Sequence, residues 1–258
     1  MSVFRRAIVR PPASTFAAGL TTAELGAPDL DLALEQHEGY CAALVEVGLE
    51  LVRLEPDPAF PDSTFVEDTA VLTSRFAVLT RPGAESRAGE VASMAECVAR
   101  FYERIERIEA PGTLDGGDVC EAGDHFFIGV SHRTNEAGAR QLARWLADEG
   151  CTSALVDIRA TGGILHLKSG LAHAGGRDLV VIDALAEHPA FRDWRRLPVA
   201  RAEEYAANCV HLNGRVVLPA GFPRLAKTLE AAGHRTLPVA MSEFQKQDGG
   251  PSCLSLRF

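Results

Sequence analysis

Four stretches of the sequence carry residue types that could do chemistry. Phe60-Pro-Asp62-Ser-Thr-Phe65-Val-Glu67-Asp68 and Thr113-Leu-Asp115-Gly-Gly-Asp118 each set carboxylates in a turn directly ahead of an apolar run. Carboxylates at loop–strand junctions can pair with a cation, and a planar guanidinium accepts such bidentate partners well. The plainer reading is that they cap turns and face water. His166 lies in Gly162-Gly-Ile-Leu-His166-Leu-Lys-Ser-Gly170, an apolar and strand-like run. It is either a satisfied core histidine or a general acid/base whose partner the fold must supply. Asp248-Gly-Gly-Pro-Ser-Cys253 turns tightly into the last apolar run and brings a cysteine to its start. Glycines there permit close approach of backbone to a ligand, and Ser252 is placed to support a thiolate; a buried structural cysteine fits the same residues.

Composition narrows these readings without choosing between them. The six cysteines, Cys41, Cys97, Cys120, Cys151, Cys209 and Cys253, are scattered, with no C-x-x-C pair and no histidine at zinc-finger spacing. Neither a disulfide framework nor a structural zinc site is expected, and most of the thiols should be buried small hydrophobes. A net charge of −9 argues against sequence-independent nucleic-acid binding and suits a cationic ligand better. The apolar run after Arg5 and Arg6 is stopped by Arg10, Pro11 and Pro12, far short of an export signal, and no later run reaches the ~18 apolar residues of a membrane span. A cytoplasmic protein with no membrane partner is the expectation.

The elements that must position these residues are paired apolar runs separated by short turns. Hairpins are predicted over residues 69–81, 118–130, 169–183 and 208–219, with turns at Gly123-Asp124, Gly175-Gly176 and Asn213-Gly214. Helical spacing of apolar residues predicts helices over 30–49, 89–102, 135–149 and 223–232, and a shorter one over 184–194. The second strands recur at intervals of several tens of residues, and Ala7-Ile-Val near the start has the same character. If the run after Cys253 pairs with that first strand, five units close into a ring with a central channel, where loops from every unit converge. A mixed α/β sandwich without symmetry is the alternative. No linker or shift in composition marks a boundary, so residues 1–258 read as one domain.

Taken jointly, FPDSTFVED, IEAPGTLDGGD, LHLKSG and DGGPSCLSLRF, supported by RPGAESRAGE and YAANCVHLNGRVVLPAGFPR, closely resemble the dimethylarginine dimethylaminohydrolases of the guanidine-modifying (pentein) superfamily. The resemblance runs from about residue 5 to 258. It implies an α/β fold, a five-bladed ββαβ pentein propeller with pseudo-fivefold symmetry. It also implies Cys253 as nucleophile, His166 as general acid/base and Asp115 as the carboxylate that orients His166. Substrate contacts carry over to Leu20, in a segment similar to the family's lid, and to Asp62, Phe65, Glu67, Asp68, Arg87 and Arg133, with a backbone contact near Gln247. Asp62 and Asp68 would hold the guanidinium and the two arginines the α-carboxylate.

The implied activity is hydrolysis of N-ω-methylated arginines to citrulline and an alkylamine through a thiouronium on Cys253. A free thiol is a few per cent ionised at pH 7, and a guanidinium ~4 Å from sulfur supplies up to ~4 kcal/mol at an effective dielectric of ~20, so the substrate itself can ionise it. The implied partner is a methylated L-arginine, with no nucleic acid and no membrane; no cofactor or metal is needed, although zinc could occupy Cys253 and His166 and inhibit. A homodimer is compatible with the sequence, which does not fix the oligomeric state. An arginine or agmatine deiminase of the same fold, and a non-catalytic pentein that only binds, are the rival readings.

Overall fold

The computed structural model describes residues 3–258; Met1 and Ser2, the start of the segment read for an export signal, lie outside the described residues. In chain order the elements are β1 (Arg6–Val9), α1 (Leu30–Glu46), β2 (Glu50–Arg53), β3 (Ala70–Leu72), β4 (Ala77–Leu79), α2 (Glu90–Val98), β5 (Ile105–Arg107), β6 (Val119–Ala122), β7 (His125–Val130), α3 (Glu136–Asp148) and β8 (Thr152–Asp157). They continue with β9 (Leu171–Gly175), β10 (Asp178–Ile182), α4 (Asp183–Ala186), β11 (Arg195–Val199), β12 (Val210–Leu212), β13 (Arg215–Pro219), α5 (Pro223–Ala231), β14 (Arg235–Val239), α6 (Ser242–Gln245) and β15 (Leu256–Arg257).

The strands form five three-stranded sheets, β3-β4-β5, β6-β7-β8, β9-β10-β11, β12-β13-β14 and β15-β1-β2. In each, two antiparallel strands are followed by a helical crossover to a third strand that pairs parallel to the second. The fifth sheet is assembled from both ends of the chain, with Ala7 opposite Arg257 and Ile8 opposite Leu256. This is the five-unit ββαβ propeller, and the pairing of the last strand with the first closes it.

The middle strands β4, β10 and β13 are almost wholly buried and therefore read as unbroken apolar runs. The third strands are half-exposed and charged, as in Ile-Glu-Arg of β5 and Arg-Arg-Leu-Pro-Val of β11, so they lack the unbroken apolar run of the middle strands. Helices begin at side-chain caps: Asp29 accepts from the Leu32 amide ahead of α1, and Asn135 from the Gly138 amide ahead of α3. They end sooner than predicted. Gly48 (φ 91°) takes the chain out of α1, and Gly150 (φ 79°) does the same after α3. The helix predicted over 184–194 is one turn, α4, followed by a 3-10 turn at Pro189–Phe191, because Pro189 cannot continue the ladder.

Just ahead of the first strand of each unit the chain makes a tight turn. Four are 3-10 turns, Val66–Thr69, Gly116–Asp118, Leu167–Ser169 and Arg201–Ala207; the fifth spans residues 251–254. These turns carry or adjoin the residues that the sequence marked, Glu67, Asp68, Asp115, His166 and Cys253. His166 is not within a strand, as its apolar neighbours suggested, but is the extended residue that leads into the third turn. The Gly162–Gly163 turn interrupts the apolar run, and the Leu167 amide is captured by Asp118 instead of a neighbouring strand.

Candidate active site

Hydrogen bonds between the inward turns hold them in register. The Gly117 amide donates to Asp68 Oδ1 (2.9 Å), joining the second turn to the first. Asp118 receives the Leu167 amide at 2.9 Å and the Ser131 hydroxyl at 2.7 Å, joining the second turn to the third. The Ser252 amide donates to Asn208 Oδ1 (3.1 Å), and the Ser252 hydroxyl to Glu67 Oε2 (2.9 Å), so the fifth turn is tied to the fourth and the first. Gly116 is needed for the closeness of this packing: a Cβ there would lie 2.0 Å from the Glu67 carbonyl oxygen.

His166 is buried, with Nε2 3.0 Å from Asp115 Oδ2 and Nδ1 4.0 Å from Asp68 Oδ1. Asp115 is itself fixed, since its Oδ1 accepts from the Gly83 amide at 2.8 Å and its own amide donates to Thr134 Oγ1 at 3.0 Å. The imidazole lies over Gly117, where a Cβ would come within 2.7 Å of Nδ1. Burial disfavours the imidazolium, but Asp68, Asp115 and Asp118 outweigh burial and lift His166 to about 9. At neutral pH it is an acid with a proton to give, and Nδ1 is the nitrogen left to give it. Asp68 is the converse: burial opposes its charge, yet His166, Arg87 and the Gly117 amide hold it down to about 2.

Cys253 is half-buried, and burial together with the charges of Glu67 and Asp68 pushes its thiol up to about 11. At rest it is a thiol, as expected of a nucleophile ionised by its substrate. Among the described residues no hydrogen bond joins Cys253 to His166; both answer to the charge of Asp68. Ser252 Oγ stands 3.9 Å from Cys253 Sγ, but its proton is committed to Glu67. The donor to sulfur is Asn208 Nδ2, at 3.3 Å.

Leu20, Asp62, Phe65, Asp68, Arg87, Arg133, His166 and Gln247 line one small cavity of about 30 Å³. Both Asp62 oxygens accept from the Leu20 amide (3.0 and 3.2 Å), which latches the segment around Leu20 over this cavity. Arg87 is buried and bonded to Asp68, to both oxygens of Glu90 and to the carbonyls of Phe65 and Asp62. Its first duty is to brace Asp68. Arg133 has no ion pair among the described residues and is the cation left to meet an anionic group. Gln247 Oε1 is buried without a donor among the described residues, on the side of Gly19.

Glu67 and Ser252 face away from that cavity. They line a second one of about 300 Å³, which reaches the hairpin turns at Gly123, Gly175 and Gly176. Glu67 Oε1 pairs with Lys168 Nζ (2.6 Å) and an Arg257 nitrogen (2.8 Å), so these three side chains form a linked group in the wall of the second cavity. Two groups carry metal-ligand atom types: Asp68, Asp115 and His166, and His37, Glu38 and Cys41 on α1. In the first, each member is already bonded to its neighbours, and in the second Glu38 is held by Arg53.

Asn208, Glu90, Lys168 and Arg257 escaped the residue-by-residue reading, and Asp118 was singled out only as a carboxylate of the second acidic turn. A signal was present for Asn208, which stands two residues ahead of β12 as Asp68 does ahead of β3.

A five-unit ββαβ propeller with a cysteine and a carboxylate-oriented histidine on its inward turns defines a guanidine-modifying hydrolase of the pentein class. The fold is shared by the N-terminal domain of an arginine dihydrolase from the cyanobacterial ornithine–ammonia cycle (TM-score 0.86, 18% identity, 99% of this chain and 97% of that one). No protein-family model matches the chain. It is 46% identical over 257 residues to the N(G),N(G)-dimethylarginine dimethylaminohydrolase of Pseudomonas aeruginosa, covering 99% of this chain and 100% of that one. It is 38% identical to the Streptomyces coelicolor protein of the same name, covering 98% and 96%. The solved Pseudomonas aeruginosa enzyme, a cysteine-to-serine variant complexed with citrulline, superposes with a TM-score of 0.96 at 45% identity over the full length of both chains. The chain belongs to the dimethylarginine dimethylaminohydrolase family.

Proposed function

We propose that this protein hydrolyses N-ω-methylated L-arginines to L-citrulline and dimethylamine or methylamine, with Cys253 as nucleophile, His166 as acid and base, and Asp115 holding His166. The observation that carries the reading is the buried His166, bonded to Asp115 at 3.0 Å and 4.0 Å from Asp68, a carboxylate whose charge raises the imidazole and disfavours the Cys253 thiolate alike. A cation beside Asp68 favours the thiolate by direct attraction, and the thiol proton passes to solvent, since His166 already holds its own. Cys253 Sγ then attacks the guanidinium carbon, and the alkylamine leaves with the His166 proton. Neutral His166 next takes a proton from water as that water attacks the thiouronium carbon; citrulline departs and the sulfur leaves as thiolate.

Asp62 and Asp68 border the guanidinium end of the cavity, and Arg133 answers the α-carboxylate. Leu20 and the latch to Asp62 close over the bound molecule, with Phe65 and Gln247 as walls. Residues 1–258 act as one catalytic domain, an arrangement supported by the pairing of β15 with β1. We also read the protein as cytoplasmic and as able to form a homodimer; among the described residues no helix is long and apolar enough to cross a membrane.

The test compares citrulline formation from asymmetric dimethylarginine, monomethylarginine and free arginine, with the wild type and Cys253→Ser. Turnover of the methylated substrates, abolished in Cys253→Ser, is expected. Preferential turnover of free arginine would make the enzyme a deiminase, and equal activity in the variant would remove Cys253 from the mechanism.

A further inference from the structure

We infer that Asn208 is a catalytic residue of this site, its side-chain amide holding Cys253 Sγ in place and stabilising the thiolate. The inference rests on the reading of Cys253 as nucleophile and adds a residue to it. Asn208 is buried on the fourth inward turn, and Nδ2 reaches Sγ at 3.3 Å. A sulfur anion is a far better acceptor than a thiol, so this bond favours the ionised form.

The orientation of the amide is set by a second bond. The Ser252 backbone N–H donates to Asn208 Oδ1 at 3.1 Å, which requires the carbonyl end there and turns the NH₂ end to sulfur. Both bonds come from the turn that carries the nucleophile. A third feature makes room for the arrangement. A Cβ on Gly250 would lie 2.5 Å from Asn208 Cγ and 2.7 Å from Oδ1, while its backbone lies outside the left-handed region that favours glycine. Gly250 is glycine for space, and the space belongs to Asn208.

Ser252, the neighbour expected to assist, is bound to Glu67 instead. Burial, Glu67 and Asp68 all disfavour the thiolate, and Asn208 is the side chain that works against them. Its contribution recurs: the sulfur is an anion when it attacks and again when it leaves the thiouronium, so one fixed donor serves both steps. Asn208 transfers no proton, and it does not line the small cavity that takes the substrate.

The experiment follows the rate of Cys253 alkylation by iodoacetamide against pH, and kcat and KM for asymmetric dimethylarginine. The proteins are the wild type, Asn208→Ala, Asn208→Asp and Gly250→Ala, with thermal melting of each recorded. Loss of one N–H donor to a thiolate is worth about one pKa unit. Asn208→Ala is therefore expected to alkylate about tenfold more slowly at pH 7.5, with its profile moved to higher pH and kcat lowered, while KM changes less than about twofold. Asn208→Asp keeps an acceptor for the Ser252 amide but sets a carboxylate beside the sulfur, and should be slower still. Gly250→Ala, whose Cβ would press on the Asn208 amide beside a backbone that itself favours the thiolate, should shift the profile in the same direction. An Asn208→Asp protein that melts like the wild type and alkylates on the wild-type profile would overturn the assignment; so would a folded Gly250→Ala with an unshifted profile. If alkylation at Cys253 leaves citrulline formation intact, it is the nucleophile that has been misread, a result separable from either of these.

Discussion

Replacing Asp68 by asparagine tests the electrostatic core of the site. Asp68 Oδ1 lies 4.0 Å from His166 Nδ1. At that distance a unit charge contributes about 4 kcal/mol at an effective dielectric of about 20, or roughly three pKa units. His166 stands at about 9, against an ordinary 6.5, with Asp115 and Asp118 adding to Asp68 and burial opposing all three. Asp68→Asn keeps an oxygen for the Gly117 amide and removes the charge, so His166 is expected to titrate between about 6 and 7. An NMR titration of the His166 ring would show it, and kcat/KM near pH 8 should fall as the acid form is lost.

Stability must follow with a definite sign. A histidine raised in the folded state contributes stability that is complete below about 6.5 and lost as pH climbs through about 9. The wild type should lose roughly 3 kcal/mol of unfolding free energy across that window from this group, and Asp68→Asn much less. Denaturant unfolding at pH 6 and pH 9.5 measures the difference. A ring that still titrates near 9 in the variant would refute the assignment of the shift to Asp68.

The two arginines should separate by phenotype. Arg87→Ala leaves Glu90 buried without its bonded cation and Asp68 with His166 alone, and should cost about 3–5 kcal/mol of stability, whereas Arg133→Ala should stay within about 0.5 kcal/mol of wild type and raise KM, as melts and kinetics together would show. Gly116→Ala drives a Cβ to 2.0 Å from the Glu67 carbonyl and should destabilise by at least about 3 kcal/mol in denaturant titrations, with loss of activity at 37 °C. Glu121, in the wall of the larger cavity, is raised to about 7, chiefly by burial, with Arg257 and Lys168 acting against it. Its folded form holds a proton more tightly than the unfolded chain, so stability falls as pH rises from about 4.5 through 7; Glu121→Gln should gain about 2–3 kcal/mol over wild type at pH 8 and nothing at pH 4 in unfolding curves.

The sequence made legible whatever is written in runs. Hairpins such as β12–β13, with its Asn213-Gly214 turn, and the amphipathic helices α1, α3 and α5 follow from pattern alone. The third strands do not, because β5 and β11 are half-exposed and charged, and their place is set by pairing with a buried neighbour that no local signal records. Asp115 and His166 could be named together only through the family resemblance, since 51 positions separate them in the chain and nothing local to either predicts their 3.0 Å contact.

Arg87 and Asp68 show why a residue's type underdetermines its duty. Both suit substrate binding by charge, but burial makes an unpaired ion so costly that each first satisfies the other. A site built to desolvate a cation must therefore keep one acidic face incompletely neutralised. Here Asp68 meets that need by sharing its charge among Arg87, the Gly117 amide and His166, so that part of its field still reaches the sulfur. Burial and Glu67 raise the resting thiol most, and the Asp68 share is the part that, on the proposed mechanism, a guanidinium offsets on arrival. On the mechanism proposed above, the charge that receives the cationic substrate also joins burial and Glu67 in disfavouring the Cys253 thiolate until that substrate arrives.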